Sequence, residues 1–239
     1  MYPAGVSGRF ARTGRALVAK QERSIRTRRK ILEAAASVFE EHGYGAAKLS
    51  AVLERAEVTK GALYFHFTSK EELAYAVLDA QTEFPVRRVQ RCRLQEFVDI
   101  GLLFAHRLST DVLLRGSVRL TLDRGSGELD RSGPYRGWIE LNHQVLKEAQ
   151  EHGEVLPHVD VEETARIVVG GYAGINLMTQ ITGGLEDLEA MAGAFYRHVL
   201  PGVAAPGVLG TLDMAPDRGA RLLAAGPERS TGGEPAPPG

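Results

Sequence analysis

Between residues 23 and 200 the chain carries only three prolines, Pro85, Pro134 and Pro157, while apolar residues return every three or four positions. Proline removes a backbone donor and clashes with the preceding helical turn, so proline-free segments with this period are free to run as amphipathic helices. Strand-type alternation is almost absent, and each of the three prolines falls at a helix boundary. The pattern predicts an all-α protein. Helices are expected over roughly 23–42, 51–56, 60–67 and 70–81, then longer ones over 95–109, 111–123, 135–152, 161–182 and 185–199. Residues 1–22 lack apolar periodicity and read as a mobile basic arm. Residues 202–239, rich in Pro and Gly, read as a disordered tail.

Local signals sharpen the first third. Gly43 is placed to stop the first helix, whose apolar stripe is Ile31, Leu32, Ala35, Val38 and Phe39. Ser50 is expected to cap "AVLERA", with Val52 and Leu53 turned inward, and Thr59 to cap "KGALYFHF". Ser69 with Glu72 three residues later reads as a capping box opening the next helix. Two short helices across a tight turn make a helix-turn-helix, whose second helix can lie in the major groove of DNA. Small residues at Gly61 and Ala62 allow close approach to a sugar-phosphate wall. Thr59 and Lys60 can donate to phosphates or bases, and Tyr64 and His66 are long enough to reach backbone oxygens. Lys70 joins an ammonium to a helix N-terminus, where phosphate is favoured. Lys48 and Ser50, at the start of the second helix, complete the expected DNA contacts. Leu63, Phe65 and Phe67 are expected in the core.

Charge agrees with a polyanionic partner. Residues 1–70 hold 13 Lys/Arg against 6 Asp/Glu, and the remaining chain holds 16 against 24, so a net charge of -1 conceals a basic end on an acidic body.

The run "LSAVLERAEVTKGALYFHFTSKEEL" resembles the DNA-binding signature of the TetR family of bacterial transcriptional repressors over about 25 positions. "GALYFHFTSKEELAYAVLDAQ", "PYRGWIE" and "GEVLPHVDVEETARIVVGGYAGI" extend the resemblance, over roughly 25–200, to the γ-butyrolactone receptor branch. The resemblance implies an N-terminal helix-turn-helix domain (23–70) followed by a helical ligand-binding and dimerisation domain (71–201). It also implies a homodimer on a palindromic operator, released by a butyrolactone, butenolide or furan signal and controlling antibiotic production. By the same resemblance Trp138 covers the signal and Gln81 bonds it. The chain departs from the family at Glu57, where glycine is usual; a left-handed backbone there would cost on the order of 1 kcal/mol.

On the 161–182 helix, Tyr172, Ile175 and Thr179 share one face and offer two hydroxyls among apolar groups, which suits either a ligand site or plain core packing. Gly170, Gly174 and Met178 lie on another face and, with the last helix, are expected to form a dimer interface. A signal under Trp138 is expected to move the fourth helix and change the spacing of the paired recognition helices.

No G-x-S-x-G, H-E-x-x-H, P-loop or G-x-G-x-x-G occurs, and the histidines lack ligand spacing, so neither a catalytic nor a metal site is expected, nor a cofactor. Neither a membrane-spanning run nor a secretory leader is seen, and Cys92 is the single cysteine, which together point to the cytoplasm. A related regulator answering to an antibiotic or to no lactone is the alternative, and a small-molecule hydrolase a remote one.

Overall fold

The computed structural model describes residues 7–82, 90–123, 129–182, 184 and 187–225, with side chains described from residue 20 onward. They are helical as the period predicts, and no strand forms among them beyond one isolated bridge between Val155 and Ala204. The chain folds into two compact units. One takes residues 1–83 and 111–134, the other 84–110 and 135–239.

The first unit contains α1 (Ser7–Ala46), α2 (Leu49–Ala56), α3 (Lys60–His66), α4 (Lys70–Asp79) and α6 (Val112–Leu122). A boundary at residue 70 therefore does not mark its edge, since α4 and α6 share its core. Ile31, Ala35, Val38 and Phe39 of α1 are fully buried with Val52, Leu63, Phe67, Leu73, Val77 and Leu120. Each such large side chain contributes about 1.5–3 kcal/mol by leaving water. The backbones of α1 and α6 meet closely at Gly116, where a Cβ would come within 2.3 Å of the Ala36 carbonyl oxygen. Only glycine allows that crossing.

Three expectations on this unit are corrected. Residues 7–22, expected as part of a mobile arm, are helical, since α1 starts at Ser7, sixteen residues before the expected start at residue 23. Ser50 lies inside α2; the position before the helix is Lys48, which is extended and makes no side-chain cap. Phe65 is 78% exposed, as it falls on the α3 side opposite Leu63 and Phe67. Gly43 does break the helical path, at φ 69°, and Asp123 at the end of α6 accepts from the Tyr44 amide at 2.8 Å across that turn.

The second unit contains α5 (Arg93–Thr110), most of α7 (Ser132–Glu151), α8 (Val161–Thr182), α9 (Leu188–Val199), a 3₁₀ turn (Leu200–Gly202), α10 (Pro206–Leu209) and α11 (Arg218–Ala224). Its axis is α5, with Leu94, Phe97, Val98, Leu102 and Ala105 wholly buried. The expected disordered tail is corrected as well. Residues 206–224 are ordered, and α11 packs on α5 so closely that a Cβ on Gly219 would lie 2.3 Å from the Leu102 carbonyl oxygen. Arg218 grips the buried Asp99 with both arms of its guanidinium, at 2.9 and 2.8 Å, and Leu222 is buried beside it. Composition failed here because one bidentate ion pair and one apolar anchor hold a segment with no repeating apolar face. Residues 226–239 lie outside the described residues.

Candidate functional site

The turn between α2 and α3 is set by backbone bonds. Glu57 stands at φ 53°, ψ 43°, the left-handed region, and its amide donates to Glu54 while the Val58 amide donates to Leu53 at 3.2 Å. This is a Schellman-type close, normally given to glycine. Thr59 then caps α3 as expected, its Oγ1 accepting from the Ala62 amide at 3.2 Å. Leu63 and Phe67 bury the inner side of α3 at 1% exposure, which leaves the other side to solvent.

The expected polar set is open to solvent in whole or in part. Lys48, Ser50, Thr59, Lys60, Gly61 and Tyr64 are exposed, and Ala62, His66 and Lys70 are half-buried. A Cβ on Gly61 would meet nothing closer than the Thr59 hydroxyl at 4.0 Å. The unit's own packing gives no reason for glycine there, although glycine costs about 1 kcal/mol against alanine in a helix. Lys60 Nζ lies 5.8 Å from the centre of the Tyr64 ring, so cation and phenol project together. Phe65 stacks edge-on against His66 at 5.0 Å. Burial, then the nearby Arg28 guanidinium, push the His66 imidazole below its ordinary pKa.

Lys70 is partly committed. Its ammonium sits 4.6 Å from the Tyr44 ring centre and 3.4 Å from the Gly45 carbonyl oxygen, and burial lowers its pKa. Ser69 caps α4 through the Glu72 amide at 3.0 Å, but the Glu72 carboxylate turns back to the amide of Thr68 rather than to that of Ser69. The capping box is thus displaced by one residue on its return arm.

Gln81 is buried, and its Nε2 donates to Ser117 at 2.9 Å and Thr121 at 2.7 Å. The amide joins the end of α4 to α6 within the first unit. Ser117 and Thr121 were not singled out from the sequence, although their i, i+4 spacing on one helix was a readable signal.

In the second unit Trp138 is 9% exposed and meets Phe104 of α5 edge-on at 5.0 Å; Phe104 also meets Tyr172 of α8 at 5.8 Å. Three helices thus deliver three rings to one cluster. Phe104, its centre, has no distinguishing sequence mark among the apolar residues of α5. Burial raises the Tyr172 phenol well above its ordinary pKa, and its hydroxyl donates to the Gly101 carbonyl at 2.9 Å. The buried Thr179 hydroxyl donates to Asn176 of its own helix at 3.0 Å. Both expected hydroxyls therefore have their protons engaged and offer only oxygen lone pairs. Ile175 is half-buried one turn from Tyr172, and Asn142 donates to the Trp138 carbonyl at 2.7 Å, bracing that turn of α7.

On α8, Ile167, Leu177, Met178 and Ile181 are exposed, and a Cβ on Gly170 or Gly174 would meet nothing within 4 Å. Among the described residues no group of His, Cys, Asp or Glu could hold a metal ion, and no helix is long and apolar enough to cross a membrane.

The model for bacterial regulatory proteins of the tetR family matches residues 31–77, which spans α1 to α4. The A-factor receptor protein of Streptomyces griseus is 41% identical over 192 residues, covering 80% of this chain and 69% of that protein. The full-length native TylP structure, a TetR regulator from Streptomyces fradiae, aligns with a TM-score of 0.78 at 44% identity over 86% of this chain and 92% of that one. A γ-butyrolactone receptor structure (ArpA-like protein) aligns with a TM-score of 0.60 at 25% identity, over 85% and 98%.

Proposed function

Because the chain belongs to the TetR family of bacterial regulatory proteins, we propose that it is a ligand-responsive repressor that binds operator DNA as a homodimer and leaves it when a γ-butyrolactone-type signal binds. It is a regulator and not an enzyme. The observation that carries this reading is the Thr59-capped helix α3, whose outward side presents Thr59, Lys60, Tyr64 and His66 around a glycine that the fold does not need. The cap leaves the helix N-terminus open to phosphate while the side chains reach the groove.

The second copy sits on the apolar, glycine-bearing face of α8. Exposed Ile167, Met178 and Ile181 with Gly170 and Gly174 combine an apolar patch with room for close helix approach. A two-fold pair places two α3 helices on half-sites of a palindrome. The cytoplasm, where chromosomal DNA lies, is the place of action.

The signal binds at the Trp138–Phe104–Tyr172 cluster of the second unit. Ring faces take an apolar ligand body, and the Tyr172 and Thr179 oxygens accept a hydroxyl. Binding of the signal moves α4, whose end Ser117 and Thr121 hold through the Gln81 amide. Helix α4 in turn begins three residues after Phe67, the buried residue that closes α3. A signal that prefers the DNA-released state 1,000-fold supplies about 4 kcal/mol for this change.

Selection of operators from a library of randomised palindromes, followed by release with a synthetic γ-butyrolactone, tests both halves. Recovery of a palindrome and its release, abolished in Trp138→Ala, is expected. Enrichment of no palindrome would sink the DNA reading, and a palindrome released equally well from Trp138→Ala would sink the effector site.

A further inference from the structure

The first half of α1 has no part in the sites above. From Lys20 to Lys30 it carries six cations and one acid, Glu22, while core burial begins only at Ile31. Ser24 and Thr27 are half-buried; the other residues of this stretch are exposed. Two of the cations have local partners. Arg28 lies over the Phe67 ring at 5.2 Å, and Arg29 pairs with Glu33 at 2.8 Å. Lys20, Arg23, Arg26 and Lys30 have no ion pair among the described residues.

Arg23, Arg26 and Lys30 recur at i, i+3 and i+7, so they share one side of the helix and repel one another. The helix continues to Ser7 through a sequence with Arg9, Arg12 and Arg15 at three-residue spacing. Like charges on one side of a helix, with no acid paired to them, are relieved by an external polyanion. The contact of Arg28 with Phe67 places the C-terminal end of this stretch beside the C-terminal end of α3 in the same unit.

We propose that residues 20–30 of α1 are a second DNA contact, sequence-independent, laid on the phosphate backbone that flanks the segment read by α3. Four uncompensated cations match a polyanion, and the stretch is continuous with the recognition unit. Insertion into a lipid surface would need an apolar face, and Ile25 is the one large apolar side chain between residues 20 and 30. The proposal rests on the DNA-binding reading above.

The full-length protein and the quadruple variant Lys20→Gln, Arg23→Gln, Arg26→Gln, Lys30→Gln are titrated with random-sequence duplexes of 20 and 40 base pairs over a range of salt. Each phosphate neutralised adds about 0.9 to the slope of log affinity against log salt. The variant is expected to lose about 3–4 from the slope per protomer, and to lose the extra affinity that the longer duplex gives the wild type. Arg23→Lys with Arg26→Lys is expected to keep the slope, as point charges suffice. An unchanged slope in the glutamine variant overturns the proposal, as does a loss confined to binding of phosphatidylserine vesicles. If the wild type selects no palindrome, the failure belongs to the repressor reading; if it does and the slope is unchanged, only the α1 contact fails.

Discussion

Replacement of Glu57 by glycine separates backbone strain from charge at the recognition turn. Glu57 holds φ 53°, ψ 43°, where a side chain costs about 1–2 kcal/mol. Glycine removes that cost but gives the unfolded chain extra freedom worth about 0.4–1 kcal/mol. The net expectation for Glu57→Gly is a gain of about 1 kcal/mol, or about 2–4 °C in Tm for a chain of this size. Glu57 is also exposed, one residue before the Val58–Thr59 entry to α3, so its carboxylate opposes approach of phosphate. Glu57→Gln keeps the Cβ and deletes the charge. Calorimetry and DNA titration on both variants then give a two-way result: both tighten DNA binding, and glycine alone raises Tm. A glycine variant that melts at or below the wild-type temperature, or a glutamine variant that raises Tm as much as glycine does, rules out backbone strain at Glu57.

Other outcomes are open to direct measurement. Thr59→Ala removes the cap to the Ala62 amide and is expected to cost about 1 kcal/mol in urea unfolding, with Thr59→Ser close to wild type. The His66 pKa lies below its ordinary value, so the fold favours the neutral ring. Its contribution is full above about pH 6.5 and is lost as pH falls through that value towards the folded pKa, because the unfolded chain takes up the proton first. Urea midpoints at pH 7 and pH 5.5 should therefore differ less in His66→Gln than in the wild type. Arg218→Met leaves Asp99 buried with only the amides of Gln90 and Gln95, and is expected to cost about 3 kcal/mol. Phe104→Ala is expected to retain operator binding and to raise the lactone concentration for release at least tenfold, read by fluorescence anisotropy of labelled DNA.

The helices and the recognition turn were legible because their causes are local. The apolar period of Ile31 to Phe39, the caps at Thr59 and Ser69 and the break at Gly43 each act within four or five residues, and each appears where the sequence puts it. What tertiary structure decided involves partners far apart in the chain. Gln81 reads as a helix end until Ser117 and Thr121 come from 36 and 40 residues away to hold it. Phe104 is one apolar residue among many in α5 until α7 and α8 bring Trp138 and Tyr172 to its ring. The 206–224 segment has no apolar period of its own; it is ordered by Asp99, 119 residues before Arg218. Amphipathic period and capping chemistry fix where a helix runs, but they carry no information about which distant side chain meets a buried donor or acceptor. That is set by packing, which settles together the crossing at Gly116 and the docking at Gly219.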